Sequence, residues 1–130
     1  MSYLERDLDA DLASVSPDNA REICLKILDS ASQLLGLGIR VREPRDAWLV
    51  MGRIIELSNE YVLARFLAEA LELDNMMDVN PLIKDMAVRD FLVCAEKTRM
   101  MVLEMARRGK SWIEIARELE GTVNKEERGS

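Results

Sequence analysis

The chain has 130 residues, 18 Lys/Arg against 24 Asp/Glu for a formal net charge of −6, and no histidine. Its 48% hydrophobic content is too high for a disordered chain, and its length suits one domain with one core. The missing histidine excludes Ser-His and Cys-His nucleophiles and every histidine-ligated zinc, haem or di-iron centre. A pI near 4.8 argues against the phosphate-driven, non-specific binding that dominates nucleic-acid affinity. The acidity lies in the first two-thirds. Residues 1–35 hold three Lys/Arg and seven Asp/Glu and residues 36–80 hold five and eight, whereas residues 81–130 hold ten and nine.

Strand patterning is almost absent, and Ala, Leu, Met, Glu, Arg and Lys, all good helix formers, fill the spaces between apolar residues. The expected fold is an all-α multihelical bundle of four to five helices in a single domain over residues 1–130, with no significant sheet. Leu4, Leu8 and Leu12 are spaced for a short acidic helix over residues 3–13, in a segment (1–15) expected at the periphery. Ser16 then reads as an N-cap, with Pro17 at the first helical position. Ala20, Ile23, Cys24, Ile27, Leu28, Ala31, Leu34 and Leu35 follow on one stripe, and Gly36 is the expected stop. Gly36, Gly38 and Pro44 break helix through GLGIRVREPR, within which Ile39 and Val41 suit a short extended piece. Helix is expected to resume with Asp46 as cap, to break or kink at Ser58-Asn59, and to continue to about residue 73.

Asn80-Pro81 repeats the pattern of a cap followed by proline. The helix that follows is expected to be long and central, over residues 81–108 or roughly 40 Å, ending at Gly109. Ser111 to Glu114 matches a capping box for a last short helix to about residue 120. Residues 121–130 read as a frayed tail. The N-terminal segment has no apolar core of the signal-peptide kind, and no apolar run reaches the roughly 18–20 residues of a membrane span. Cys24 and Cys94 lie in apolar stretches with neither metal-ligand spacing nor a predicted cluster of basic neighbours, so buried, inert thiols in a reducing cytoplasm are expected.

FLVCA (residues 91–95) and MMVL (residues 100–103) place apolar groups right around the long helix, and such a helix is buried on most sides. Either the other helices wrap it, or part of its surface meets a second copy of the chain. A domain this small has limited capacity to enclose a 40 Å helix, which favours a homodimer. Met76, Met77, Met86, Met100, Met101 and Met105 suit adaptable packing in a core or a partner groove.

Acidic helix faces supply one candidate site. Glu56 and Glu60 are four apart, as are Asp74 and Asp78, and two such pairs offer the oxygen ligands that Mg²⁺ prefers. This arrangement resembles the all-α nucleotide pyrophosphohydrolases of the MazG type, in which a Glu-Glu-x-x-Glu helix and a later Glu-x-x-Asp helix hold Mg²⁺ for cleavage of nucleoside triphosphates. The resemblance implies a metal site at Glu56, Glu60, Asp74 and Asp78. The chain departs from it in carrying Ile55 at the leading glutamate and no Glu-x-x-Asp between Glu69 and Asp78. The competing reading is a set of solvated faces with local pairing, such as Glu69 with Arg65.

The segment RRGKSWIEIARELEGTVN resembles the first half of a helix-turn-helix. Ala116 and Leu119 would pack against the second helix, with Gly121 near the turn and Arg107, Arg108, Lys110 and Arg117 supplying charge. Beyond Val123, NKEERGS offers no apolar residues for a recognition helix, and a short helix docked through Trp112, Ile113 and Ile115 is the simpler expectation. Arg40, Arg42 and Arg45 suit a carboxylate or phosphate, or the chain's own acidic helices. These features together favour a non-enzymatic binding or assembly module (an accessory subunit, adaptor or regulator) that needs no cofactor. Mg²⁺-dependent nucleotide hydrolysis and DNA binding are the alternatives.

Overall fold

A computed structural model describes residue 4, residues 8–76 and residues 78–108. It contains α1 (Leu8–Ala13), α2 (Ala20–Leu34), α3 (Pro44–Ser58), α4 (Val62–Asn75) and α5 (Pro81–Arg107), with no strand among the described residues. The fold is therefore an all-α bundle, and its longest helix spans 27 residues. Ser111 to Glu120, the helix-turn-helix-like segment beyond Arg108, and the tail lie outside the described residues.

Every other helix packs against α2, and the most extensive contact is between α4 and α5. The apolar stripe of α2 explains this position. Ile23, Cys24, Ile27, Leu28 and Ala31 are all buried, and Ser30 and Ser32 widen the buried arc beyond one face. Phe66 of α4 and Phe91 of α5 meet with ring centroids 5.1 Å apart and planes tilted by 33°. Around them lie Ile54, Leu57, Leu63, Leu67 and Leu73, while Leu4 and Leu8 bring the N-terminal segment into the same core. Thr98, buried in the middle of α5, satisfies its hydroxyl by donating to the Cys94 carbonyl at 2.8 Å.

The helix ends show where local chemistry differs from the sequence-based reading. Ser16 does not cap α2. The Asn19 side-chain oxygen accepts from the Ser16 N–H at 2.7 Å and its amide donates to the Ser14 carbonyl at 2.8 Å, so residues 17–19 form a turn and the helix starts at Ala20. An Asn side chain competes with helix by bonding nearby backbone, and here it wins by a turn. Asp46 is likewise not the cap of α3. Pro44 takes the first helical position, and Asp46, three residues beyond Glu43, accepts from the Glu43 N–H at 3.2 Å and the Arg42 N–H at 3.1 Å. Proline fits there because its missing N–H would have had no helical partner.

Gly36 ends α2 as expected. Its φ is +68°, the Leu37 N–H reaches the Ser32 carbonyl at 2.9 Å, and the Gly36 N–H reaches Gln33 at 3.2 Å, which is a Schellman closure. The loop beyond it is tied back to α2. Ser32 Oγ accepts from the Ile39 N–H at 3.1 Å and Asp29 Oδ1 from the Val41 N–H at 2.9 Å. These bonds take up the backbone groups that an extended piece would have offered to a strand. Asn59 makes a full break between α3 and α4, with φ 55° and ψ 30°. Asn80 caps α5 by accepting from the Leu82 N–H at 2.9 Å.

Asn80→Ala should lower the unfolding free energy by about 1 kcal/mol in chemical denaturation, the usual worth of such a cap. At residue 59, Gly should leave stability nearly unchanged, whereas Val, which resists the left-handed conformation, should lower it in the same measurement.

Candidate functional site

The structure does not gather the four carboxylates of the metal reading. Glu56 is exposed near the end of α3, with Arg53 at 3.5 Å. Asn59 closes that helix, so Glu60 falls in the turn, where its N–H bonds Ser58 Oγ at 3.3 Å, and the two glutamates do not share a helix face. Asp74 is engaged by Arg21 at 2.5 Å, a bridge that ties α4 to α2. Asp78 is exposed beyond the end of α4. Among the described residues no three acidic, cysteine or histidine side chains stand together in a way that could hold a metal.

A charged cleft of about 100 Å³ lies between α4 and α5, lined by Val62, Arg65, Asp90, Val93, Cys94 and Lys97. Arg65 approaches Glu69 at 3.8 Å, the pairing expected from their four-residue spacing. Glu69 is mostly buried, and burial raises its pKa above the ordinary glutamate value, with Asp90 and Glu72 adding to the rise and Arg65 opposing it. The Cys94 thiol does have basic neighbours, contrary to the reading from sequence. Burial nevertheless dominates and pushes its pKa up, as Arg65 and Lys97 pull against Glu69 and Asp90. Cys24 is pushed up by burial alone. Both cysteines are free and buried, so neither has the character of a reactive thiolate.

A second, shallower cleft of about 190 Å³ lies where the ends of α3 and α5 meet, lined by Leu57, Ser58, Glu60, Met101, Glu104, Met105 and Arg108. Arg40, Arg42 and Arg45 are exposed on the loop before α3 and early in that helix. Among the described residues none of the three makes an ion pair.

Among the described residues, five of the eight exposed large apolar side chains lie on α5; the others are Trp48 and Leu49 on α3 and Tyr61 just before α4. One face of that helix carries Ala87, Phe91, Cys94, Ala95, Thr98 and Val102 into the core. On other faces Leu82 is 71% exposed, Met86 65%, Met100 55%, Val93 53% and Ile83 49%. The FLVCA and MMVL runs are thus split between inside and outside. Met105 is buried and Met76 and Met101 are partly buried, whereas Met86 and Met100 face solvent. Met77 lies outside the described residues. Reading the runs as continuous hid Leu82 and Ile83, and the seven-residue recurrence of Met86, Val93 and Met100 was the signal that would have separated the outer set.

No known protein family, curated protein or solved structure matches this chain.

Because the folded chain holds a proton on Glu69 more tightly than the unfolded chain does, Glu69 makes stability fall as pH rises through and above the ordinary glutamate range. Glu69→Gln removes that dependence. Its stability relative to the parent should therefore increase between about pH 4 and about pH 7 in paired denaturation curves; a constant difference would contradict the shift.

Proposed function

We propose that the protein is a helical assembly module that self-associates through the outer face of α5. The observation that carries this reading is the set of five large apolar side chains left in solvent on one helix. Isolated exposed apolar residues are ordinary on protein surfaces, but a concentration of them on one element marks a contact surface. With no metal-holding group among the described residues and inert thiols, binding explains more of the structure than catalysis does. Two free, buried cysteines suit a reducing, cytoplasmic setting, and no helix among the described residues is long and apolar enough to cross a membrane.

Partial burial of a few Leu, Val and Met side chains supplies several kcal/mol, the same order as the roughly 4–15 kcal/mol cost of association. The dimer should therefore be concentration-dependent. Sedimentation equilibrium should show the mass rising from 14.8 kDa toward twice that value as concentration increases. Met86→Ser combined with Met100→Ser should hold it at the lower mass with folding intact. A monomer at every concentration overturns the proposal.

A further inference from the structure

We infer that the outer face of α3, together with the arginines just before it, docks an acidic amphipathic helix of a partner protein. This surface lies on a different helix from the proposed self-association and stands independently of it. Arg45, Trp48, Leu49 and Gly52 are all exposed, and their spacing of three, four and seven places them on one side of the helix. At about 100° per residue that side is opposite Ala47, Val50 and Ile54, which face the core. Trp48 is 49% exposed and Leu49 56%, so both keep a large apolar area for a contact.

Gly52 turns this face into a docking surface. It sits in the interior of α3, where glycine disfavours helix relative to alanine. Its φ is not positive, in contrast to those of Gly36 and Gly38, so the backbone does not call for glycine. A Cβ added there would meet nothing within 4 Å, so packing within the chain does not call for it either. What a missing side chain provides on an outer face is close approach of another backbone. A partner helix crossing α3 at Gly52 finds Trp48 and Leu49 one turn away to cover with its own apolar side chains.

The chemistry of the partner follows from the arginines. Residues 39–53 hold four Arg against two Asp/Glu, in a chain with 18 basic and 24 acidic residues overall. Arg40, Arg42 and Arg45 make no ion pair among the described residues, whereas the Asp46 carboxylate in the same turn is taken up by the Arg42 and Glu43 N–H groups. The loop is fixed before any partner arrives, because Ser32 and Asp29 hold the Ile39 and Val41 N–H groups at 3.1 and 2.9 Å. Exposed Arg40 and Arg42 flank buried Val41, so the backbone that carries them loses little further freedom on binding. Arginine and tryptophan are the side chains that most often carry the energy of protein interfaces. These arginines select a carboxylate-rich partner. A long nucleic acid would also run over the acidic remainder of a chain of net charge −6, and a lipid surface has no backbone to bring close to Gly52.

Fluorescence anisotropy tests the surface with a labelled peptide of about 18 residues that carries leucine at every third or fourth position and glutamate and alanine elsewhere. It should bind the full chain with a Kd tighter than about 100 μM, and the same peptide with lysine for glutamate should not. Arg40→Glu, Arg42→Glu and Arg45→Glu together should weaken it about tenfold or more. Gly52→Gln should raise the melting temperature of the free chain by about 2 °C, since it replaces a helical glycine without meeting a neighbour, and yet weaken the peptide about tenfold. A merely structural role would not give that opposition. Absence of binding, or a Kd unchanged by Gly52→Gln, overturns the inference. So does stronger binding of phosphatidylserine-containing vesicles or of a single-stranded oligonucleotide through the same arginines. If Arg42→Glu instead abolishes a dimer seen by sedimentation, the face belongs to a second copy of the chain and the inference also falls. Met86→Ser with Met100→Ser should leave peptide binding unchanged, so failure of the α5 dimer and failure of this surface are read apart.

Discussion

The bundle depends on the burial of α2 from several directions at once. Its side chains from Ala20 to Ala31 include Cys24, Ile27 and Leu28, none of which exposes measurable surface. A helix with so wide an apolar arc has to be surrounded, and each of the other helices among the described residues packs against it. Its polar residues then fix the connections: Asp29 and Ser32 hold the loop toward α3, and Arg21 reaches Asp74 on α4. Removing apolar volume from α2 would loosen every interface together.

The exposed surface of α5 follows from the same arrangement. With α2 at the centre, α5 packs chiefly against α2 and α4, and near its C-terminal end it also meets the end of α3. The 27 residues of α5 are long for a domain of this size, whose capacity to enclose such a helix is limited. The outer face therefore stays apolar and mixed in charge, a composition suited to a helix partner.

The acidic character of the chain has a more modest structural role. Its carboxylates close turns and bridge helices, as Asp46, Asp29 and Asp74 do, or meet arginines one helical turn away, as Glu56 and Glu69 do. The left-handed Asn59 is decisive for the metal reading, because it ends α3 one residue before Glu60. The MazG-like spacing in the sequence presupposed an unbroken helix through that point. A local backbone reversal changes the direction of the next side chain, and spacing alone does not register it.

Much of the fold was legible from periodicity and breakers. The stripe of α2, the stop at Gly36, the break near Asn59 and the cap at Asn80 are local features, set by side-chain pattern and backbone preference within a turn or two. Helix starts were less legible at Ser16 and Asp46, because the Asn19 and Asp46 side chains each bond two groups of the preceding backbone and the choice depends on the path of that turn. The tertiary structure alone decided which apolar residues of α5 face inward, because Phe91 and Val93 are equally apolar and differ only in their angle to α2 and α4. Sequence determined that this helix has more apolar surface than one face requires. Packing determined where the surplus lies, since burial depends on which neighbours arrive from distant parts of the chain.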